Sequence, residues 1–179
     1  YCDFVFTGGE PFADLNVLQQ MLDEIPKTHK VYINTTLPVS KFQTEDDIVR
    51  FTEKNKDKIT CINVSRHMQH YVVESNDGLL KRLAVPFRIN CVLYNDYPNQ
   101  DMIPYLERFS IIPGASIQFR FDYTETTPEN LYETEHDKIL GDLKKIADYR
   151  GLDGCRMRCG FHFDYKGLPL TYHKTLPYS

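Results

Sequence analysis

Apolar residues recur along this chain in two alternating patterns, one typical of strands and the other of helices. Short apolar runs predict strands, and apolar residues spaced three and four apart between those runs predict amphipathic helices. The predicted strands are 4–7, 31–35, 60–65, 87–93 and 116–121. The predicted helices are 15–25, 44–56, 77–83 and 100–109, and residues 129–149 are predicted to contain a further helix. Repeated strand–helix units of this kind predict an α/β fold with a parallel sheet wrapped by helices.

One helix carries a clear signal for its start. Thr44 is a good helix cap, and Asp47 stands three residues later, in the position that completes a capping box. We therefore expect the second helix to begin directly after Thr44.

The pattern changes after about residue 150, where several glycines interrupt the helical spacing. Residues 161–165 alternate as a strand does, and a Lys-Gly pair separates them from a second run at 168–173, which predicts a hairpin. We expect residues 1–150 to form the core and residues 151–179 to form a β extension packed on it.

Composition narrows the range of partners. The 179 residues suit one domain or most of a larger one, and the net charge of -4 without a basic block argues against a nucleic-acid surface. No apolar stretch is long enough to cross a membrane, and there is no signal-peptide pattern. Five cysteines are an odd number, which favours reduced thiols and a cytoplasmic location over a disulfide framework.

The most informative segment is Thr7-Gly8-Gly9-Glu10-Pro11, which directly follows the apolar run Phe4-Val5-Phe6. Two glycines at the end of a strand let a ligand approach the backbone closely, and a proline suits the first turn of a following helix. Glu10 adds a negative charge at the carboxyl end of a strand, where α/β folds bind ligands, and its natural complement is a cationic group such as an ammonium. The alternative is a tight turn with a solvated glutamate.

This segment resembles the GGEP motif of the radical S-adenosylmethionine (SAM) superfamily. In that family the motif ends the second barrel strand and binds the amino group of the methionine moiety. The resemblance implies a partial, incomplete TIM-type barrel of parallel βα units that lacks its first unit, followed here by the C-terminal β-hairpin extension. Because Tyr1 opens directly into a predicted strand, we expect part of the natural protein to precede it.

The resemblance also implies cofactor contacts at the ends of the later strands. Asn34 and Thr35 fall where relatives often carry Thr-Asn-Gly, and Ser65 falls where they carry Ser-x-His or Ser-x-Asp. Each of these side chains has a plainer alternative, in which it satisfies neighbouring backbone groups. The expected SAM contacts are Gly8, Gly9, Glu10, Pro11, Asn34, Thr35, Ser65, Asn90, Gln118 and Arg120.

Three residues after the third strand leave other possibilities open. Arg66 either neutralises a carboxylate or lies on the surface, where arginine is usually found. His67 is a candidate ligand contact or acid/base group. A metal pair of His67 with His70 has no third ligand of matching spacing, so no metal site is predicted there.

The Cys-x-x-x-Cys-x-x-Cys loop that holds the [4Fe-4S] cluster in the family does not occur in this sequence. Its ligands are therefore expected outside this chain, which on its own is expected to be inactive. Cys155 and Cys159, with His162, have a similar spacing and are weak candidates for an auxiliary cluster. The plainer alternative is two cysteines on a structured turn.

The resemblance implies an oxidoreductase of the radical SAM type, similar to pyruvate formate-lyase-activating enzyme or SPASM-type relatives. The full-length protein would generate a 5′-deoxyadenosyl radical and abstract hydrogen from an unidentified small-molecule or protein substrate, with flavodoxin or ferredoxin as electron donor. No catalytic residue, nucleic-acid partner or membrane partner is predicted. A non-catalytic, barrel-derived binding module is the alternative. A phosphate-binding α/β enzyme is disfavoured by the acidic Glu10 in the glycine turn.

Overall fold

The computed structural model describes residues 2–68, 77–94, 97, 101–121, 134–152 and 160–173, with only the backbone at 134–136. Over these residues the fold is mixed α/β with mostly parallel strands, as predicted. The strands are β1 Phe4–Phe6, β2 Val31–Thr35, β3 Cys61–Ser65, β4 Phe87–Leu93, β5 Ile117–Phe121, β6 Asp148–Leu152, β7 Gly160–Tyr165 and β8 Leu168–His173. The helices are α1 Leu15–Glu24, α2 Glu45–Lys54, α3 Asp77–Leu80, α4 Met102–Ser110 and α5 Thr134–Ile146.

The chain divides into two compact units. The first draws its described residues from Tyr1–Arg66 and Val72–Ile89, and the second from His67–Tyr71 and Asn90–Ser179. Strand β4 contributes its first three residues to the first unit and its remaining residues to the second.

In the first unit the strand order is β1-β2-β3-β4, which follows the order of the sequence. β1 pairs with β2 and β2 with β3, both in parallel, and the register sets Asn34 opposite Asn63. Burial alternates along β2, so one face of this strand is buried and the other carries half-buried side chains. Fully buried residues of the apolar core include Phe12, Leu18, Leu22, Ile33, Ile48, Ile62 and Val64.

The helices of the first unit begin at capping residues that are visible in the sequence. Asp14 caps α1, because its carboxylate accepts hydrogen bonds from the Asn16 and Val17 N–H groups at 2.9 and 3.2 Å. Thr44 caps α2, and both halves of the predicted capping box with Asp47 are present. The prediction for the start of α2 is confirmed.

The second unit has the strand order β4-β5-β8-β7-β6. β8 runs parallel to β5, and β7 is antiparallel to both β8 and β6. The predicted hairpin is confirmed, since β7 and β8 are joined by Lys166 and Gly167, both with positive φ. That geometry matches the twist of a two-residue hairpin.

Strand β6 was missed in the sequence, because residues 148 and 149 fall in the stretch 129–149 that was predicted only to contain a helix, and that helix ends at Ile146. Its side chains are mostly exposed, so it has no apolar alternation to reveal it. The strand is held by its antiparallel pairing with β7.

Among the described helices, none is long and apolar enough to cross a membrane. Three of the five cysteines fall in the described residues and are free thiols: Cys2, Cys61 and Cys91.

Candidate functional site

The Thr-Gly-Gly-Glu-Pro segment forms a turn directly after β1, at the carboxyl end of that strand. Gly8 and Gly9 have φ angles of 84° and 56°, which residues with a side chain rarely adopt. A Cβ atom added to either glycine would meet no atom within 4 Å. The glycines are therefore required by the backbone conformation, and the backbone there is open to the approach of a ligand.

Glu10 follows the glycines and is held by four hydrogen bonds. Its Oε1 accepts from the Phe12 N–H at 2.9 Å and from the Thr35 hydroxyl at 2.5 Å. Its Oε2 accepts from the Thr36 N–H at 2.8 Å and from the Thr36 hydroxyl at 2.7 Å. These donors match the four or so acceptor positions of an ionised carboxylate. The carboxylate thus joins the glycine turn to the end of β2.

The same hydrogen bonds set the charge of this group. Burial alone would raise the pKa of the Glu10 carboxyl, but the donors of Thr35, Thr36 and Phe12 outweigh it and hold the pKa below its ordinary value. The group is therefore ionised at neutral pH.

A groove of about 250 Å³ runs beside the turn, lined by Phe6, Gly8 and Glu10 among others.

The backbone beyond β2 is unusual. Leu37 is buried and has a φ of 54°, although it carries a side chain. Its N–H donates to the Thr35 hydroxyl at 2.9 Å, which ties this conformation to the residue that also binds Glu10. A left-handed residue that is not glycine is the kind of local strain that proteins retain at functional sites.

Arg66 lies at the end of β3 and is only 2% exposed, so the surface interpretation of this residue is wrong. Its Nη1 donates to the Thr36 carbonyl at 2.9 Å and to the Ser65 carbonyl at 2.7 Å. Through Thr36, this buried cation is connected to the Glu10 carboxylate. The structure therefore brings the predicted residues Glu10 and Thr35 together in one hydrogen-bonded group that also includes Phe12, Thr36 and Arg66. The predicted residues Gly8, Gly9 and Pro11 flank Glu10 in the turn and make no hydrogen bond to this group among the described residues.

A second polar group extends across the neighbouring strands β2, β3 and β4. The Asn63 amide nitrogen donates to Asn34 Oδ1 at 2.8 Å. Arg88 donates to Asn63 Oδ1 from Nε at 3.2 Å and from Nη2 at 2.9 Å. Asn63 and Arg88 were not predicted as site residues. The signal that would have found them is a polar residue in an otherwise apolar strand.

Two predicted residues of the second unit each have a buried side-chain amide atom without a hydrogen-bond partner among the described residues. Gln118 is 2% exposed and its Nε2 has no acceptor there, and Asn90 Oδ1 is likewise buried without a donor. They lie on β5 and β4, which are neighbours in the sheet. An unsatisfied buried polar group costs about 1–3 kcal/mol, so a ligand is a physically reasonable partner. Arg120, on the same strand as Gln118, is exposed.

The remaining candidates have more ordinary surroundings or lie outside the described part of the chain. His67 Nδ1 accepts from the Val92 N–H at 3.0 Å, and the His162 ring nitrogen is 3.2 Å from the Thr171 hydroxyl. Cys155, Cys159 and His70 lie outside the described residues. Within the described residues, no group of three or more His, Cys, Asp or Glu side chains is arranged to hold a metal ion.

Comparisons of the chain with protein-family models, with curated proteins and with solved structures give no match in any of the three. The function must therefore be inferred from the residues of these groups and from the motif in the glycine turn.

Proposed function

We propose that this chain is the core of a radical SAM enzyme and that it binds S-adenosylmethionine through residues at and near the carboxyl ends of its parallel strands. The observation that carries the proposal is the glycine turn after β1. A strand precedes it, Pro11 starts a short 3-10 helix after it, and both glycines have positive φ with open space around them.

The turn has the chemistry that a ligand ammonium requires. Glu10 supplies a negative charge that its hydrogen bonds keep ionised. Because four donors already occupy its oxygens, the carboxylate would act mainly through its charge. Direct hydrogen bonds would then come from backbone carbonyls of Gly8 and Gly9, which glycine leaves accessible. A direct contact between Glu10 and the ammonium stays a prediction.

The unsatisfied side-chain amides of the second unit have the chemistry that adenosine requires. Adenine offers an N–H₂ donor and ring acceptors, and ribose hydroxyls both donate and accept. Gln118 Nε2 would donate to such a group, and Asn90 Oδ1 would accept from one. Contacts from Ser65, Asn34 and Arg120 belong to the proposal on the strength of the family resemblance alone.

The partial TIM-type barrel is part of the same proposal. Within the first unit the strands follow one another in sequence order, with α1 between β1 and β2 and α2 between β2 and β3. Barrels are wound in this way, whereas a doubly wound sheet reverses its strand order at a switch point. The division into a core at 1–150 and an extension at 151–179 stays a prediction.

A radical reaction requires a cluster that this chain does not supply. The sequence has no Cys-x-x-x-Cys-x-x-Cys loop, so its ligands would have to come from residues outside the chain. The bound cluster would supply the electron that cleaves SAM to a 5′-deoxyadenosyl radical. Flavodoxin or ferredoxin would reduce it in the cytoplasm, a location that the three free thiols Cys2, Cys61 and Cys91 support.

One observation favours the non-catalytic binding module as a second candidate. The Glu10 carboxylate is fully engaged by donors of the chain itself, so its oxygens need no ligand to satisfy them. A module of this kind would keep the turn for structural reasons and would bind no SAM.

The test is to express the natural protein with the residues that precede this chain, reconstitute it with iron and sulfide without oxygen, and add SAM and a reductant. We expect a [4Fe-4S] absorption band and release of 5′-deoxyadenosine. A protein that binds no cluster and leaves SAM intact would overturn the proposal in favour of the module. Glu24→Gln, a change of an exposed glutamate in α1, provides a control that should leave SAM cleavage unaltered.

A further inference from the structure

Three polar residues, Arg88, Asn63 and Asn34, form a row across three neighbouring strands of the first unit. All hydrogen bonds between them donate in the same direction, from Arg88 toward Asn34. Arginine has N–H donors and no acceptor. Arg88 therefore requires the oxygen of the Asn63 amide on its side, and the Asn63 nitrogen must face Asn34. This fixes the orientation of both amides, which are otherwise hard to distinguish.

The row ends in a pair of N–H donors. Asn34 presents its oxygen to Asn63, so its Nδ2 group lies at the opposite end of the carboxamide. Among the described residues Asn34 Nδ2 donates to no acceptor, and the residue is half-buried. Consecutive hydrogen bonds polarise one another, so the permanent positive charge of Arg88 strengthens the N–H donors of Asn34.

The strand register also defines where the Asn34 amide lies. Phe6 is opposite Ile33 in the pairing of β1 with β2, and continuing the register by one residue sets Thr7 opposite Asn34. Thr7 is the first residue of the glycine turn. The Asn63 side chain in the middle of the row is 6% exposed, so the connection between Arg88 and Asn34 is shielded from water.

We propose that Arg88, Asn63 and Asn34 form an oxyanion-binding site, in which Asn34 Nδ2 contacts a ligand carboxylate or phosphate. Asn63 and Arg88 act as positioning residues that orient and polarise the Asn34 amide. The Glu10 carboxylate, which accepts hydrogen bonds from Thr35 and Thr36, opposes an anion here, whereas the Arg88 charge favours one. The site does not depend on the proposed cofactor.

The anion has two possible sources, and the experiment separates them. It is either the carboxylate of the amino-acid part of SAM or an anionic group on a different ligand. Acetate and inorganic phosphate probe the site itself, whereas SAM and decarboxylated SAM, which keeps the ammonium but lacks the carboxylate, probe the source.

Three variants each remove one donor or charge from the row of Arg88, Asn63 and Asn34. Asn34→Asp still accepts from Asn63 but has no terminal donor. Asn63→Asp still accepts from Arg88 but cannot donate to Asn34. Arg88→Gln keeps a donor to Asn63 and removes the charge. Arg82→Gln is the matched control, because Arg82 belongs to the same unit and pairs with the exposed carboxylates Glu45 and Asp46 on α2.

The first measurement follows the side-chain amide signal of Asn34 by ¹⁵N NMR, identified by its loss in Asn34→Asp. We expect acetate and phosphate to shift it saturably beyond any shift caused by equal sodium chloride. Arg88→Gln should weaken the apparent affinity about tenfold and Asn63→Asp should abolish the shift, while Arg82→Gln changes neither. A signal that does not respond, or that responds equally in Arg88→Gln, would overturn the proposal.

The second measurement compares the binding of SAM and decarboxylated SAM to the wild type and to Asn34→Asp by calorimetry. A loss of about tenfold or more for SAM alone identifies the cofactor carboxylate as the anion. If the acetate and phosphate shifts occur but SAM does not bind, the oxyanion site stands and the proposed function fails. If SAM binds and no anion shifts the Asn34 signal, the proposed function stands and the oxyanion site is overturned.

Discussion

Glu10 illustrates how a single side chain connects the sequence motif to the structure. Its carboxylate accepts hydrogen bonds from the turn that contains it and from two residues at the end of β2. Because those donors lower its folded pKa, the stabilisation is complete above the pKa of the unfolded chain and is lost as pH falls through the lower folded value. We expect the wild type to lose stability with acid in this range.

The variant Glu10→Gln tests this directly. The glutamine amide offers one oxygen where the carboxylate offered two, and its NH₂ group would face donors such as the Thr36 N–H. We expect a loss of about 1–3 kcal/mol in the free energy of unfolding at pH 7, and a smaller loss as the pH approaches 3. Urea unfolding at several pH values measures both. Glu24→Gln is the control, and equal pH profiles for Glu10→Gln and the wild type would contradict the assignment.

In contrast to Glu10, whose carboxylate is fully hydrogen-bonded, Gln118 has a buried amide nitrogen that lacks a partner among the described residues. Gln118→Met removes the amide at similar volume. We expect the free energy of unfolding to rise by about 1–2 kcal/mol, because no unsatisfied polar group is then left at this position. Thermal unfolding without ligand measures the change. A destabilised variant would mean that the amide has a structural partner and is not kept for a ligand.

At the scale of elements, the start of α2 is determined by residues that are adjacent in sequence. Thr44→Ala removes the side-chain oxygen that accepts from the Asp47 N–H. We expect a loss of about 1 kcal/mol, typical of a helix cap, and near-complete recovery in Thr44→Ser. Denaturant titration provides the measurement, and a Thr44→Ala variant as stable as the wild type would show that the capping box contributes nothing.

The glycine turn allows a matched comparison between glycines. Gly8→Ala and Gly9→Ala meet no atoms within 4 Å, so any cost comes from the positive φ alone, about 1–2 kcal/mol each. Gly141 in α5 also has open space but ordinary helical geometry. Gly141→Ala should therefore stabilise by about 0.5–1 kcal/mol. If the free energy of unfolding changed in the same direction in all three variants relative to the wild type, this account of the turn would be contradicted.

At the scale of the whole molecule, local patterns predicted what local interactions determine. The strands β1 to β5 and the helices between them follow from short apolar runs and helical spacing. β6 does not, because its exposed residues are held by pairing with β7, which lies further along the chain. Tertiary pairing of this kind leaves little trace in the local pattern.

The candidate site was predictable to a similar extent. The glycine turn was recognised from two glycines directly after a predicted strand and from its resemblance to a known motif, and Gln118 from the resemblance of its strand to the last strand of the family's barrel. The four donors to Glu10 and the row from Arg88 to Asn34 could not be foreseen, since both depend on which strands are neighbours and in what register. The burial of Arg66 went against the usual preference of arginine for the surface.

The central claim is that this chain binds S-adenosylmethionine, and equilibrium dialysis of the purified chain against labelled SAM tests it most directly. We predict saturable binding that Gly9→Ala and Gln118→Met each weaken about tenfold or more and that Gly141→Ala leaves unchanged. An absence of saturable binding, or affinities that are the same in all four proteins, would contradict the account.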